Sequence, residues 1–362
     1  MSSVAGEAPE FVWPDVLRPA GLTVIYLDLN HWISLAKADT GHKHGARFED
    51  ALAACRQVRA ARKAVFPLSV MHYTELAKIE NPRQRAELAK VMEELSGFSS
   101  LVDPVSVKRS EIRALLAAVG VLPPSASAGF ELLGRGVGFS IGRQMRPVVR
   151  DDAGNDITAV LMADPQWRAF LAEGTDMAER MILTGPSDQE APRLKAMGWD
   201  PRAAWGVAEK RAAAERDQVT NLDQITKPWR KGRLLDVIAG REVMIELKGE
   251  VERLLQEVET QTEEEKDRII HPLLQGIRRM PSTEVSMALK LAMHRDANRA
   301  RGWKANDVVD VDAMSLAVPY CDVVVTENAS HEVLTAAHLD KRANTTILRN
   351  LTQLEAFIST LH

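Results

Sequence analysis

The sequence predicts an α/β protein in which a parallel sheet carries helices on its faces and is interrupted by a long helical stretch. Short apolar runs rich in β-branched residues occur near both ends of the 362-residue chain, and helical periodicity separates the members of each pair. Between about residues 97 and 280, helical periodicity dominates and strand signals are scarce.

The first strand is expected at residues 22–28 (LTVIYLD), a buried parallel strand ending on Asp28, with Asn30 where a helix begins. Residues 64–68 (AVFPL) form a second strand that Pro67 brings to its end, and Ser69 is placed to cap the helix holding Met71 to Leu76. Residues 322–326 (DVVVT) are the clearest strand, and 345–348 (TTIL) the fourth. The closing helix, residues 351–361, sets Leu351, Leu354, Phe357, Ile358 and Leu361 on one face. The expected domains are therefore a discontinuous α/β unit, 1–96 and 281–362, and a helical insertion, 97–280. The best helix of the insertion spans residues 244–261, with Leu247, Val251, Leu254, Leu255 and Val258 at helical spacing.

Composition excludes several classes. The 46 Lys+Arg and 50 Asp+Glu give a net charge of −4, so nucleic acid can be contacted only through local patches. Mean hydropathy is −0.18 and no window approaches the ~18 apolar residues of a spanning helix. Residues 1–10 have neither a basic cluster nor an apolar run, and only Cys55 and Cys321 are present, which points to a cytoplasmic, reducing location.

The chemistry concentrates in carboxylates. Asp28 ends a strand, where open α/β sheets bind ligands. Glu75 lies in the helix after the second strand. The tract 306–326 (NDVVDVDAMSLAVPYCDVVVT) opens a helix with Asp307 and Asp310 on one face, and Asp312 turned away by roughly 200°. Carboxylates without His or Cys suit hard Mg²⁺ or Mn²⁺. The span 294–304 adds Arg295, Arg299, Arg301 and Lys304 directly before that helix. Two further basic patches lie at 134–150 and 227–241. The glycines of 134–142 lack the preceding strand and Lys-Ser/Thr ending of a phosphate loop.

Asp28 in YLDLN, Glu75 in LSVMHYTEL, and Asp310 followed by VVVTEN resemble the spaced acidic signature of PIN-like nucleases, and PYCD (residues 319–322) is similar to a stretch in a long subgroup of them. The resemblance covers residues 22–95 and about 280–350. It implies a Mg²⁺- or Mn²⁺-dependent endonuclease acting first of all on single-stranded RNA, of a kind that serves as a toxin or defence effector, with an antitoxin or defence-system partner. Asp28, Glu75 and Asp310 would hold metal, with Asp307 beside them. The fourth position falls on Asn328, an amide where many members carry an acid, and Glu327 or Asp307 is placed to compensate. Asn30 and Asp322 are second-rank candidates, Asp322 because it sits at the wrong end of its strand. Arg295, Arg299, Arg301 and Lys304 would contact the backbone of the substrate.

The bland alternatives are concrete. Asp28, Glu75, Asp307 and Asp310 are each acids in or before a first helical turn, where the dipole and caps favour them. His31, His42, His44, His72 and His294 read as surface or helix-face residues, and Trp32 and Trp303 as packing. Rival functions are a catalytically weak binding module, a DNA-directed nuclease, and a phosphatase of the HAD type, whose second aspartate is replaced here by Asn30.

Overall fold

Two strands, β1 (Val16–Leu17) and β2 (Thr23–Leu27), open the chain, and Asp28 ends β2 by capping helix α1 (Leu29–Asp39) through a 2.7 Å bond from the Leu29 N–H. The computed structural model describes residues 9–126, 129–143, 148–198, 200, 202–223, 227–258, 262–295 and 302–361. Helix α2 (Glu49–Ala60) leads to β3 (Ala64–Val65), which stops before Pro67, a residue with no N–H for a ladder. Helices α3 (Val70–Leu76) and α4 (Pro82–Ser96) follow, the latter capped by Asn81.

Beyond residue 97 the structure is mostly helical, as expected, and adds three short strands. Strands β4 (Ser99–Leu101), β5 (Phe130–Glu131) and β6 (Leu133–Arg135) surround α5 (Pro104–Ala118). Strand β4 pairs antiparallel with β6, β5 pairs parallel with β1, and Ser100 bridges Leu68. Runs of two or three residues are too short to show period-2 patterning, so sequence periodicity passes over them. Helices α6 (Gly136–Ser140), α7 (Thr158–Ala163), α8 (Pro165–Thr184), α9 (Ala191–Ala196), α10 (Ala203–Asp223) and α11 (Lys227–Arg241) come next. A π-turn (Glu242–Glu246) precedes α12 (Lys248–Glu257) and α13 (Glu263–Gly276). Met244 thus lies in the π-turn rather than opening the helix expected at 244–261, and Val258 is exposed just past its end.

The chain returns through α14 (Pro281–Arg295), α15 (Ala305–Tyr320), β7 (Val323–Val325), α16 (Asn328–Ala336), α17 (Leu339–Ala343), β8 (Thr346–Leu348) and α18 (Leu351–Ile358). The central sheet has the order β3-β2-β7-β8 and is parallel throughout. Alternation along its strands divides the core. Val24, Tyr26 and Val324 face α14 and α15, whereas Ile25, Leu27, Val323 and Val325 face α1, α2, α4 and α18. Both faces are apolar, which is why these strands read as continuous runs. Trp32 and Trp303 are fully buried, as packing residues are.

The helical region docks through buried charge. Lys290 of α14 reaches Glu242 at 2.6 Å and Glu246 at 3.1 Å, both on the π-turn, while His294 meets Glu215 of α10 at 2.9 Å. Glu242 and Glu246, four residues apart, share the face that meets this one lysine. At the other end of α15, Glu111 of α5 is buried. It accepts bonds from the Tyr320 hydroxyl and from the Ser282 N–H and hydroxyl, the latter two at 2.9 and 2.7 Å. Next to it Asp322 accepts from the Val24 N–H at 2.7 Å and from Arg18 at 3.1 Å. The PYCD stretch is therefore a fastening of α15 and β7 to their neighbours. Asp322→Ala should leave the Val24 N–H unpaired and cost about 1–3 kcal/mol in urea unfolding. An unchanged unfolding midpoint would contradict this.

Candidate functional site

In the order β3-β2-β7-β8, strand β2 has β3 on one side and β7 on the other, so the connections diverge between β2 and β7. Such a switch point leaves a crevice beyond the carboxyl ends of the two strands. Asp28 follows β2 there, and its N–H donates to the Val325 carbonyl at 3.0 Å, which sets it beside the end of β7. Glu327 follows β7 at the cap position of α16 and takes a hydrogen bond from the Asn30 amide. Helix α3 brings Glu75, and α15 brings Asp310 and Asp307.

The electrostatics bind these residues into one group. Burial first, then Glu75 and Glu327, push the Asp28 carboxyl up to about 7, against the lowering effect of the Leu29 N–H. Burial also pushes Asp310 up, to about 8, helped by Asp28, Glu75, Glu327 and Asp307 in that order. Glu75 is raised as well, mainly by burial, with Lys78 opposing and Glu327 reinforcing. Like charges in a shared, partly dry crevice disfavour joint ionisation.

Asp307 plays its capping part too, accepting from the Lys304 N–H at 2.7 Å. Helix capping and membership of the acidic group thus coincide at Asp28 and Asp307. Asn328 is exposed as the first residue of α16, and the neighbouring Glu327, not Asn328, supplies the fourth charge. Asp322 does not join them: it lies at the opposite end of β7, occupied with Val24 and Arg18. Asp312 turns to Arg211, 3.0 Å away. Of the expected backbone contacts, Arg295 ends α14 and Lys304 precedes α15, both exposed, while Arg299 and Arg301 lie outside the described residues. A cavity of about 50 Å³ adjoins the acids, lined by Asp307, Asp310, Met293, Val311, Ser330 and Val333 among others.

Three further side chains belong to this region. His72 is not on the surface: it is fully buried, its Nε2 donates to the Leu27 carbonyl at 2.8 Å, and its Nδ1 accepts from the Ser69 N–H at 3.0 Å. Burial lowers its pKa to about 4, so the ring is neutral and the two bonds define its tautomer. It ties the residue before Asp28 to the first turn of the helix that holds Glu75. His294 is also buried. Lys78, three residues after Glu75, approaches it at 3.6 Å, and its ammonium lies 3.6 Å from the Trp205 ring centroid. The helical spacing of Glu75 and Lys78 is the available sequence signal; nothing local points to Trp205.

The side chains offered here are all oxygen donors, the type that hard divalent cations take. Among the described residues, no group of three or more His, Cys, Asp or Glu side chains is arranged so as to hold a metal ion, and no helix is long and apolar enough to cross a membrane. Compared with protein-family models, curated proteins and solved structures, the chain finds no match in any of the three.

The raised carboxyls have a consequence for stability. Native Asp28 and Asp310 keep protons that unfolded carboxyls lose near pH 4, so between about pH 4 and 8 the native state binds more protons and stability falls as pH rises. In EDTA, Asp310→Asn should therefore melt above wild type at pH 8 and converge with it toward pH 5. A mutant that melts lower than wild type at pH 8 would show that the acids do not repel.

Proposed function

We propose that this chain is a PIN-like, metal-dependent endonuclease that hydrolyses phosphodiester bonds in single-stranded RNA. The observation that carries the reading is the placing of Asp28 at the switch point of a parallel sheet, with Glu75 near enough to raise its carboxyl and with Asp28 and Glu75 near enough to raise that of Asp310. These three would hold Mg²⁺ or Mn²⁺, with Asp307 and Glu327 at the rim. The ion, when bound, would supply an activated water and charge stabilisation on the phosphoryl group.

The remaining work falls to the chain. His72 and Ser69 hold the Asp28 and Glu75 backbones in relation to each other, and the Asn30 amide orients Glu327. Arg295 and Lys304, both exposed and on the α15 side, offer positive charge to a polyanion. Because Asp28 and Asp310 retain protons near neutrality, metal uptake must release them. Calorimetric Mn²⁺ affinity of the intact protein should accordingly weaken from pH 8 to pH 6, with proton release shown by a dependence on buffer ionisation enthalpy; a pH-independent affinity would separate the metal from these acids.

The deciding experiment compares wild type, Asp28→Asn and Asp310→Asn on labelled single-stranded RNA and DNA of one sequence, with Mn²⁺, Mg²⁺ or EDTA. Wild type should cut RNA only with metal, and each folded mutant should lose more than about 10²-fold in rate, about 3 kcal/mol of transition-state stabilisation. Cleavage surviving both substitutions would remove the carboxylates from the chemistry. Preferential cutting of DNA would change the substrate, and RNA retained but never cut would make the protein a binding module.

A further inference from the structure

We propose that Lys78 is a phosphate-binding residue of this site, presented by Trp205 of α10, so that the helical region forms part of the substrate surface. The inference rests on the nuclease reading and adds to it a residue outside the acidic signature. Lys78 is held from three elements at once. Its ammonium is 3.6 Å from Glu75 on α3, donates to the Asn306 side chain of α15 at 3.1 Å, and stands over the Trp205 ring at 3.6 Å. Among the described residues it is the one Lys or Arg side chain within 4 Å of any carboxylate of Asp28, Glu75, Asp307, Asp310 or Glu327.

Three partners are more than a simple i,i+3 ion pair needs, since such pairs contribute only a few tenths of a kcal/mol. A cation beside Glu75 offsets part of the repulsion among the acids, and it disfavours a metal there unless an anion arrives with it. A phosphodiester supplies that anion. The indole face presents the cation well, because it attracts an ammonium without neutralising it or competing for its N–H donors, so the charge stays available. The Lys78 side chain is 27% exposed. Trp205 is thus a positioning residue for Lys78, acting without contact to the substrate.

The test is binding of fluorescein-labelled single-stranded RNA to the intact protein in EDTA, followed by anisotropy across a NaCl series, with cleavage in Mn²⁺ measured in parallel. Lys78→Met should weaken binding about 3- to 10-fold and reduce the slope of log affinity against log salt by about 0.7, one single-strand phosphate contact. Lys78→Arg should keep the slope. Trp205→Phe should stay close to wild type, Trp205→Leu should move toward Lys78→Met, and the double variant Lys78→Met/Trp205→Leu should be no weaker than Lys78→Met alone. Lys90→Met is the control for lost charge: Lys90 pairs with Asp39, at the far end of α1 from Asp28, and its slope should equal wild type. A Lys78→Met protein that is folded by circular dichroism and matches wild type in affinity and slope overturns the proposal. In that event RNA cleavage by wild type would leave the nuclease reading standing; wild type that neither binds nor cuts RNA overturns both.

Discussion

The parallel pairing of β2 with β7, Ile25 to Val323 through Leu27 to Val325, is the contact on which the rest depends. It joins residues nearly the whole chain apart, and the loop it closes includes the complete helical region. Loop-closure entropy grows only logarithmically with length, so an intervening segment of this size is tolerated. The pairing is rewarded on both faces: Val24, Tyr26 and Val324 bury against α14 and α15, and Ile25, Leu27, Val323 and Val325 against the opposite helices. Asp322, bonded to the Val24 N–H, fixes the register from the start of β7, and the Asp28 N–H continues it at the other end. A slip of one residue would reverse every side chain and carry Asp28 away from Glu327.

The same pairing creates the cost of the site. Burial and neighbouring acids raise Asp28 and Asp310, with Glu327 exposed at the edge, and Lys78 offsets part of the negative charge at Glu75. Buried bonds elsewhere hold the frame rigid against this repulsion: His72 across Leu27 and Ser69, Glu111 across Tyr320 and Ser282, and Lys290 across the π-turn. Such interactions are stabilising in place because each polar group has its partner.

Strands β2 and β7 are legible in the sequence because each is a continuous apolar run, and Asp28 because it directly follows one. Glu75 is placed by the order of strand followed by helix, and Asp310 by a helix that runs into the clearest strand. The resemblance sets Asn328 at the fourth position with Glu327 beside it, and in the structure it is the charge of Glu327 that reaches Asp28, Glu75 and Asp310. The short strands β4 to β6 leave no periodic trace. The burial of His72 and the meeting of Lys78 with Trp205 arise only when α3, α10 and β2 come together, and no local pattern encodes a contact across such separations.

The fastening of Tyr320 to Glu111 gives α15 an anchored end and a loaded end. Ten residues separate Tyr320 from Asp310, about 15 Å of helix at 1.5 Å per residue. Held at its far end by a buried bond and buried along most of its length, α15 fixes where Asp310 stands. A tilt of about 4° at Tyr320 corresponds to about 1 Å at Asp310 over that length. The PYCD stretch thus sets the base from which the helix carrying Asp307 and Asp310 extends.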